Sequence, residues 1–203
     1  MQTGKPTVKA HSRRFVLKSL AGASVALAAF PFALRAGETA PAGRPLIVFF
    51  SRTGHTRTLA AMIHKRVGGD MVELKTAKPY PQDYEAAVKQ ARKEQQAGAR
   101  PALATELPPL EGYGTVFLGY PNWWGTMPMA LFTLLEKYDF SGKTVVPFCT
   151  HGGSRLGRSV DDIRKLCPKA RMLQGFAAFG DSVEQAGKGV DAWLRDIGMA
   201  QAR

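Results

Sequence analysis

Apolar and amphipathic stretches alternate along the chain from about residue 45 onward. Uninterrupted apolar runs such as residues 46–50 (LIVFF) are typical of strands that are buried on both faces of a parallel sheet. Between the runs, apolar residues recur every three or four positions, as Leu59, Ile63 and Val67 do, and this spacing predicts helices. The predicted strands are 46–50, 71–75, 115–120, 143–150 and 171–179. The predicted helices are 56–67, 82–97, 129–138, 155–167 and 182–198.

Strands that alternate with helices predict an α/β fold. We expect a doubly wound three-layer sandwich whose five-stranded parallel sheet has the order 2-1-3-4-5. Ligands of such sheets bind at the carboxyl ends of the strands, where the winding reverses, so the loops after strands one, three and four should share a site. Pro147 fits poorly inside the fourth predicted strand, because proline has no amide hydrogen to donate.

The first 36 residues indicate an export signal. They contain six Lys and Arg and no acidic residue, followed by a mildly apolar stretch and small residues. Residues 12–18 (SRRFVLK) resemble the bacterial twin-arginine signal S-R-R-x-F-L-K, with Val16 in place of the usual Phe. A membrane anchor is the alternative, but Ala, Gly and Pro31 make a poor permanent span.

This interpretation divides the chain into a signal over 1–36, a linker over 37–44 and a domain over 45–199. Cleavage is expected after Ala36, which would leave no stable membrane span. The twin-arginine route carries proteins that are already folded, often with a cofactor inserted, so the resemblance implies a periplasmic cofactor protein.

The charge changes once the signal is set aside. The whole chain has a net charge of +12, whereas removal of residues 1–36 leaves 22 Lys and Arg against 16 Asp and Glu. A modestly basic domain favours acidic partners or surfaces. No basic stripe interleaved with aromatic residues is present, so we expect no nucleic-acid binding.

The two cysteines, Cys149 and Cys167, are predicted to lie at opposite ends of a helix of about 12 residues, roughly 18 Å long. A disulfide needs Cα atoms within about 7 Å, so both thiols should be unpaired. Their spacing matches neither a metal nor a redox motif.

The loop after the first predicted strand, residues 51–56 (SRTGHT), is suited to a phosphate. Gly54 permits close backbone approach, Ser51, Thr53 and Thr56 offer hydroxyls, and the helix start offers unpaired amides. A triphosphate loop would read G-x-x-x-x-G-K-[ST], and its lysine is absent here. The loop therefore favours a single monoester phosphate, with a capped helix and no ligand as the alternative.

The loops after the third and fourth predicted strands suggest a planar ligand. Residues 119–128 (GYPNWWGTMP) place two tryptophans at the expected ligand edge, where an indole can stack on an aromatic ring. At least one tryptophan should pack into the core, with Trp124 expected nearer the ligand than Trp123. In residues 149–159, His151 could lie at the ligand rim and supply protons, or simply be a surface histidine.

Taken together, the loops resemble those of the flavodoxin family. Residues 45–198 are similar to short-chain, flavodoxin-like FMN proteins that share the segment YP-x-x-Y at 80–84, the tryptophan loop at 119–128 and F-C-T-x-G-G-S at 148–154. The resemblance implies a flavodoxin-like fold and one non-covalently bound FMN. The FMN-binding residues expected from these loops are Ser51, Arg52, Thr53, Gly54, His55, Thr56, Pro121, Asn122, Trp123, Trp124, Gly125, Thr126, Thr150, His151, Gly152 and Gly153.

The resemblance also implies roles for individual residues. His55 stands where this group commonly has asparagine, which leaves a backbone role intact. Gly125 occupies the place of a peptide that flips beside the flavin ring and is the candidate hinge. Thr126 replaces a residue that is often acidic, so we expect a less negative lowest reduction potential. The fourth loop lacks a tyrosine to cover the ring, leaving either glycine backbone with His151, or Tyr80 or Tyr84, for that face.

Three functions remain open. The first is an electron shuttle between redox partner proteins, and the second is an FMN-dependent NAD(P)H:quinone-type oxidoreductase. The third is a flavodoxin-like binding module without FMN. The chemistry would belong to the flavin in either redox case, so no catalytic side chain and no metal ligand is expected. No second nucleotide-binding domain is visible and free nicotinamide is expected to be scarce in the periplasm, so the shuttle is favoured.

Overall fold

The computed structural model describes residues 43–200. The predicted signal (1–36) and residues 37–42 of the predicted linker lie outside the described residues. The strands are β1 Arg44–Phe49, β2 Asp70–Glu73, β3 Tyr113–Pro121, β4 Thr144–His151, β5 Arg171–Met172 and β6 Phe176–Phe179. The helices are α1 His55–Val67, α2 Tyr84–Gln96, α3 Met129–Lys137, α4 Ser159–Leu166 and α5 Gly187–Asp196. β1 thus begins at the last residue of the predicted linker.

These six strands pair in parallel. The sheet has the order β2-β1-β3-β4-β5, and β6 is also paired to β4. This confirms the predicted α/β fold and the order 2-1-3-4-5. Because β1 and β3 are neighbours while the chain winds in opposite directions from them, the carboxyl ends of these two strands border the crevice at the switch point.

The fifth predicted strand, 171–179, is wrong as one continuous strand. β5 pairs with Thr144 and Val145, and β6 pairs with β4 from Phe148 onward, so the break stands opposite Pro147. The carbonyl of Val145 accepts from Leu173 N (3.1 Å), and alternate residues of β4 face the same neighbour. Pro147 therefore faces the segment between β5 and β6 but has no amide hydrogen to donate to it. The hydrogen-bonded pairing with β4 is interrupted at this point.

Two predicted helices begin four or more residues later than expected. The predicted helix 155–167 starts only at Ser159, because Arg155 (φ 51°) and Gly157 (φ 55°) have left-handed backbone that an α-helix cannot contain. The predicted helix 182–198 opens as a 3-10 turn, Val183–Ala186, before α5.

Helices cover both faces of the sheet, which explains the uninterrupted apolar runs. In β1, Leu46 and Val48 face the layer of α3 and α4, whereas Ile47 and Phe49 face the layer of α1 and α5. All four side chains are buried. α2 contributes only two buried alanines, Ala87 and Ala91, and its other face is polar.

The cysteines are unpaired, as predicted, and both are buried. Cys149 lies within β4, not at a helix end, and Cys167 follows α4. Burial raises the pKa of Cys149 to about 12 and, as the main cause, that of Cys167 to about 11, so neither is a reactive thiolate at neutral pH. Within residues 43–200, no helix is long and apolar enough to cross a membrane, and no cluster of three His, Cys, Asp or Glu could hold a metal.

Candidate functional site

A cavity of about 530 Å³ lies at the carboxyl edge of the sheet. The loops after β1, β3 and β4 all contribute to it, together with α2 and the loop after β6. The predicted site residues that line it are Arg52, Thr53, His55, Thr56, Pro121, Asn122, Trp123, Trp124, Thr150, His151 and Gly152. The structure therefore brings together residues that are up to 100 positions apart along the chain.

Five predicted site residues do not line the cavity, namely Ser51, Gly54, Gly125, Thr126 and Gly153. Ser51 Oγ accepts hydrogen bonds from the amides of Gly54 (3.1 Å) and Arg57 (3.3 Å), so it shapes the loop. Thr126 is buried, and its hydroxyl donates to Asp162 Oδ2 (2.6 Å). The hydroxyls of Ser51 and Thr126 therefore form hydrogen bonds within the protein and are not directed to a ligand of the cavity.

The amino-terminal end of α1 forms one end of the cavity. The helix starts after Gly54 (φ 95°), which has no side chain to cap it, and the first turn contains no acidic residue. The amides of Thr53, His55 and Thr56 have no hydrogen-bond partner among the described residues. The hydroxyls of Thr56 and Thr150 are 2.8 Å apart and join this end to β4. Unpaired amides at a helix start, with no carboxylate nearby in the first turn, are suited to an anion.

The two tryptophans have different positions. Trp123 packs edge-on against Phe50 and Tyr80, with ring centroids 5.5 and 5.0 Å away. Trp124 is 45% exposed and lines the cavity. Trp124 (φ 54°) and Gly125 (φ 82°) are the two central residues of a tight turn. The turn is closed by a hydrogen bond from Trp123 N to the carbonyl of Thr126 (2.8 Å). Both tryptophans thus line the cavity, but Trp123 is also packed against the core, whereas Trp124 is exposed at the wall.

Hydrogen bonds join the loop after β3 to the loop after β4. Asn122 Nδ2 donates to the carbonyl of Arg155 (2.7 Å), and its own amide donates to the carbonyl of Thr150 (2.8 Å). The predicted hinge, Gly125, donates its amide to Asn122 Oδ1 (3.0 Å) and accepts from Arg158 N (2.8 Å) through its carbonyl. Rotation of either peptide of Gly125 would break one of these bonds.

His151 is 7% exposed and lines the cavity beside Phe179, with ring centroids 4.5 Å apart. The amide of Gly153 donates to His151 Nδ1 (2.9 Å), which makes Nδ1 the acceptor and assigns the ring proton to Nε2. Burial, and next the charge of Arg155, lower the pKa of His151. The ring is therefore neutral at pH 7 and keeps an Nε2–H donor.

Sequence reasoning missed several lining residues, namely Ala87, Val88, Ala91, Gly180 and Asp181. The three from α2 share one face of a helix whose composition is mostly polar, so only the small residues at 87 and 91 could have indicated that face. Gly180 and Asp181 follow β6, beyond the three loops that the winding rule selects.

The two candidate tyrosines are separated by the structure. Tyr84 is 69% exposed and lines the cavity. Tyr80 is buried against Phe50 and Trp123 and donates to Glu94 Oε2 (2.5 Å), so it belongs to the core. Both His151 and Tyr84 thus line the cavity, whereas Tyr80 does not.

A sequence model of the flavodoxin family matches residues 44–197. Two crystal structures of provisionally designated flavoproteins, from Bacteroides eggerthii DSM 20697 and Bacteroides uniformis ATCC 8492, are similar to this chain. Each has 31% sequence identity and a TM-score of 0.66. The matches cover 76% and 73% of this chain, respectively, and 98% of each of the other chains. A flavoprotein in complex with FMN from Lactobacillus acidophilus NCFM has the same fold (TM-score 0.59, 22% identity, 75% of this chain and 99% of its own). No curated protein matches the chain. The chain belongs to the flavodoxin family.

Proposed function

We propose that this cavity binds FMN without a covalent bond and that the protein carries electrons between redox partners. The observation that carries the proposal is a single cavity with two chemically different ends. One end is the start of α1, where unpaired amides are suited to a phosphate, and the other has an exposed indole, which is suited to a planar ring. Family membership and the FMN complex of a protein with the same fold support the choice of FMN.

The described residues fit this cofactor. The amides of Thr53, His55 and Thr56, which lack partners, would hold the phosphate, and Trp124 and His151 would contact the ring. The cavity volume lies within the range of about 300–1,000 Å³ that is usual for small-molecule sites. Bound FMN would supply electron transfer, and the protein would supply binding and tune the potential.

The side chains around the ring end do two things. Trp123 gives the cavity an apolar wall, and its ring is supported from the core by Phe50 and Tyr80. His151 presents a neutral Nε2–H donor, and its neutrality avoids a fixed charge at the ring. The potential would therefore be set by dipoles and by more distant charges.

Comparison of FMN with riboflavin tests the phosphate end. The apoprotein should bind FMN at least about tenfold more tightly than riboflavin, because charge-assisted hydrogen bonds to the phosphate are lost in riboflavin. Thr53→Val removes a hydroxyl that lines the cavity and should narrow this ratio. Thr58→Val is the control, since Thr58 lies one turn further along α1 and outside the cavity lining. Equal affinity for the two flavins would overturn the assignment.

The cavity mouth favours a docking role. Tyr84, Trp124 and Phe179 (69%, 45% and 56% exposed) are three of the four exposed large apolar side chains in residues 43–200, and all three lie at or beside the cavity. Exposed aromatic side chains around a cofactor are suited to brief contact with another protein.

Stopped-flow mixing of the holoprotein with NADH and NADPH separates the shuttle from the quinone-type reductase. A shuttle should show no rapid, saturable bleaching of the flavin by either nucleotide. Rapid and saturable bleaching would instead support the reductase. A colourless protein that FMN cannot reconstitute would leave only the binding module.

We further propose that the redox partner is acidic. Arg52, Arg92 and Arg155 lie at or near the mouth, and none of them forms an ion pair within the described part of the chain. Asp181 also lines the cavity, so the charge of the mouth is mixed, with arginine in the majority. The rate of electron transfer with the true partner should fall as salt rises, and a salt-independent rate would count against an acidic partner.

Export to the periplasm is proposed from the composition of residues 1–36 and from the twin-arginine pattern at residues 12–18. In the native host, Arg13→Lys combined with Arg14→Lys should retain the protein in the cytoplasmic fraction. Normal export of this variant would contradict a twin-arginine route.

A further inference from the structure

Helix α2 contacts Trp124 in three places, two on the side chain and one on the backbone. The guanidinium carbon of Arg92 lies 4.5 Å from the centre of the indole ring. Trp124 Nε1 donates to the carbonyl of Val88 (3.2 Å), one helical turn before Arg92. Gln95 Nε2 donates to the backbone carbonyl of Trp124 (3.3 Å). The indole is therefore fixed in both position and orientation by one face of a single helix.

The backbone of Trp124 makes such a hold necessary. Its φ of 54° is left-handed, which is unfavourable for a large side chain with a Cβ. Strained conformations of this kind persist only where the surrounding structure determines them, and they are concentrated at ligand sites. Here the surrounding structure is α2 on one side and the joined loops after β3 and β4 on the other.

Arg92 and the cavity contact different parts of the indole. Trp124 lines the cavity, whereas Arg92 does not. If Arg92 covered the face that the cavity presents, the guanidinium would line the cavity as well. Arg92 therefore contacts the indole from outside the cavity lining, and in this sense lies behind the indole.

Arg92 has no carboxylate partner among the described residues, in contrast to several other arginines of the domain. Arg57 pairs with Glu73 and Arg100 pairs with Glu136. The charge of Arg92 is thus not neutralised by an ion pair, and its guanidinium lies over the π-system of Trp124.

We propose that Arg92 is a positioning residue for the ligand of this cavity: it holds the Trp124 indole as a stacking wall and places an uncompensated positive charge behind that wall. The ligand part of the proposal rests on the FMN function proposed above. A positive charge near the ring favours the redox state that carries more negative charge, so Arg92 raises the reduction potential. This role extends the site beyond its lining residues to the outer face of α2.

The contact itself is tested on the full chain without cofactor, by acrylamide quenching of tryptophan fluorescence. Arg92→Gln should make quenching more efficient, because the indole loses its cover. Lys89→Gln is the control: Lys89 is exposed on the same helix, and no contact joins it to Trp124. In a Trp124→Phe background, Arg92→Gln should have no effect on quenching. Unchanged quenching in Arg92→Gln would overturn the positioning role.

The effect on the ligand is tested with the FMN-loaded protein. Arg92→Gln should weaken FMN binding about two- to fivefold, as expected for loss of an exposed cation–π contact, and should make the midpoint potential more negative. Arg92→Lys keeps the charge and should restore most of the potential, whereas Lys89→Gln should match the wild type in both measurements. Equal potentials for Arg92→Gln and Lys89→Gln would overturn the electrostatic part.

Failure of the FMN proposal gives a different result. If the wild-type chain binds no FMN, the function proposed above is wrong, yet the quenching experiment still decides whether Arg92 holds Trp124. If FMN binds and Arg92→Gln changes neither quenching nor potential, the role of Arg92 is wrong while the FMN function stands.

Discussion

Two sides of the cavity are held in place in different ways. The joined wall (121–126 and 150–162) is closed by backbone and side-chain hydrogen bonds between two loops, several of them at 2.6–2.8 Å. The open wall (Arg52 and residues 82–92) relies on weaker contacts, such as Arg52 Nη1 to the carbonyl of Gln82 (3.1 Å) and Arg52 over the Tyr84 ring (5.7 Å). The difference indicates that the joined wall fixes the shape of the site, while the open wall can adapt to a ligand or partner.

The largest effect is expected from Gly157→Ala in the joined wall. Gly157 has a φ of 55°, and a Cβ there would lie 2.2 Å from the carbonyl oxygen of Gly125. Left-handed strain and a backbone clash together should lower the free energy of unfolding by about 2–4 kcal/mol, measured by urea denaturation. FMN affinity should fall too, because the Gly125–Arg158 bond is displaced.

Gly142→Ala is the matched control for that substitution. Gly142 also has a positive φ, 72°, but a Cβ there would have no neighbour within 4 Å. It should cost only the conformational strain, about 1–2 kcal/mol. Equal losses in the two variants would mean that the contact between the loops adds nothing to stability.

Thr126→Val should have the next largest effect. The buried hydroxyl donates to Asp162 Oδ2, and its removal leaves a carboxylate short of one hydrogen bond. The free energy of unfolding should fall by about 1–3 kcal/mol. Thr126→Ser keeps the hydroxyl and should retain most of the stability. If valine and serine behave alike, the hydrogen bond is not the reason for the loss.

A smaller, pH-dependent effect is expected at His151. Its pKa is lowered in the folded state, so the unfolded chain binds the proton first as pH falls below the ordinary value of 6.5. Stability should therefore decrease from pH 7.5 to pH 5, and protonation of Nδ1 also removes the acceptor for Gly153 N. In His151→Asn, whose side-chain oxygen can still accept, the decrease should be smaller. Identical pH slopes in urea titrations would contradict this.

The smallest effect on stability is expected from Tyr84→Ala in the open wall. The side chain is mostly exposed, so the free energy of unfolding should stay within about 0.5 kcal/mol of the wild type. FMN affinity, measured by flavin fluorescence on the same samples, should nevertheless fall because Tyr84 lines the cavity. A stability loss as large as that of Thr126→Val would remove the contrast between the two walls.

Local patterns in the sequence predicted most of the framework. Burial on both faces makes a strand such as β1 apolar without interruption, and the period of apolar residues marks a helix such as α1, so both can be read within ten or fifteen residues. The order of these elements then limits the topology, and the topology places the loops after β1, β3 and β4 at one edge. For this reason eleven of the sixteen predicted site residues line one cavity.

The remaining features depend on contacts between elements that are distant in sequence. Thr126 was expected to face the ligand, yet its hydroxyl bonds to Asp162 on α4. The predicted fifth strand is divided because Pro147 stands opposite it in the sheet. Only packing angles and register decide such partners, and neither is written in the pattern of a single element.

The sequence by itself therefore determined the alternation of elements, the sheet order and the chemistry of the three loops, since each follows from burial and backbone geometry close along the chain. Only the tertiary structure decided that the small residues of α2 complete the cavity and that Trp123 packs against the core while Trp124 stays exposed. It also placed Arg92 behind Trp124, 32 positions away in sequence, because that contact depends on how α2 packs beside the loop after β3.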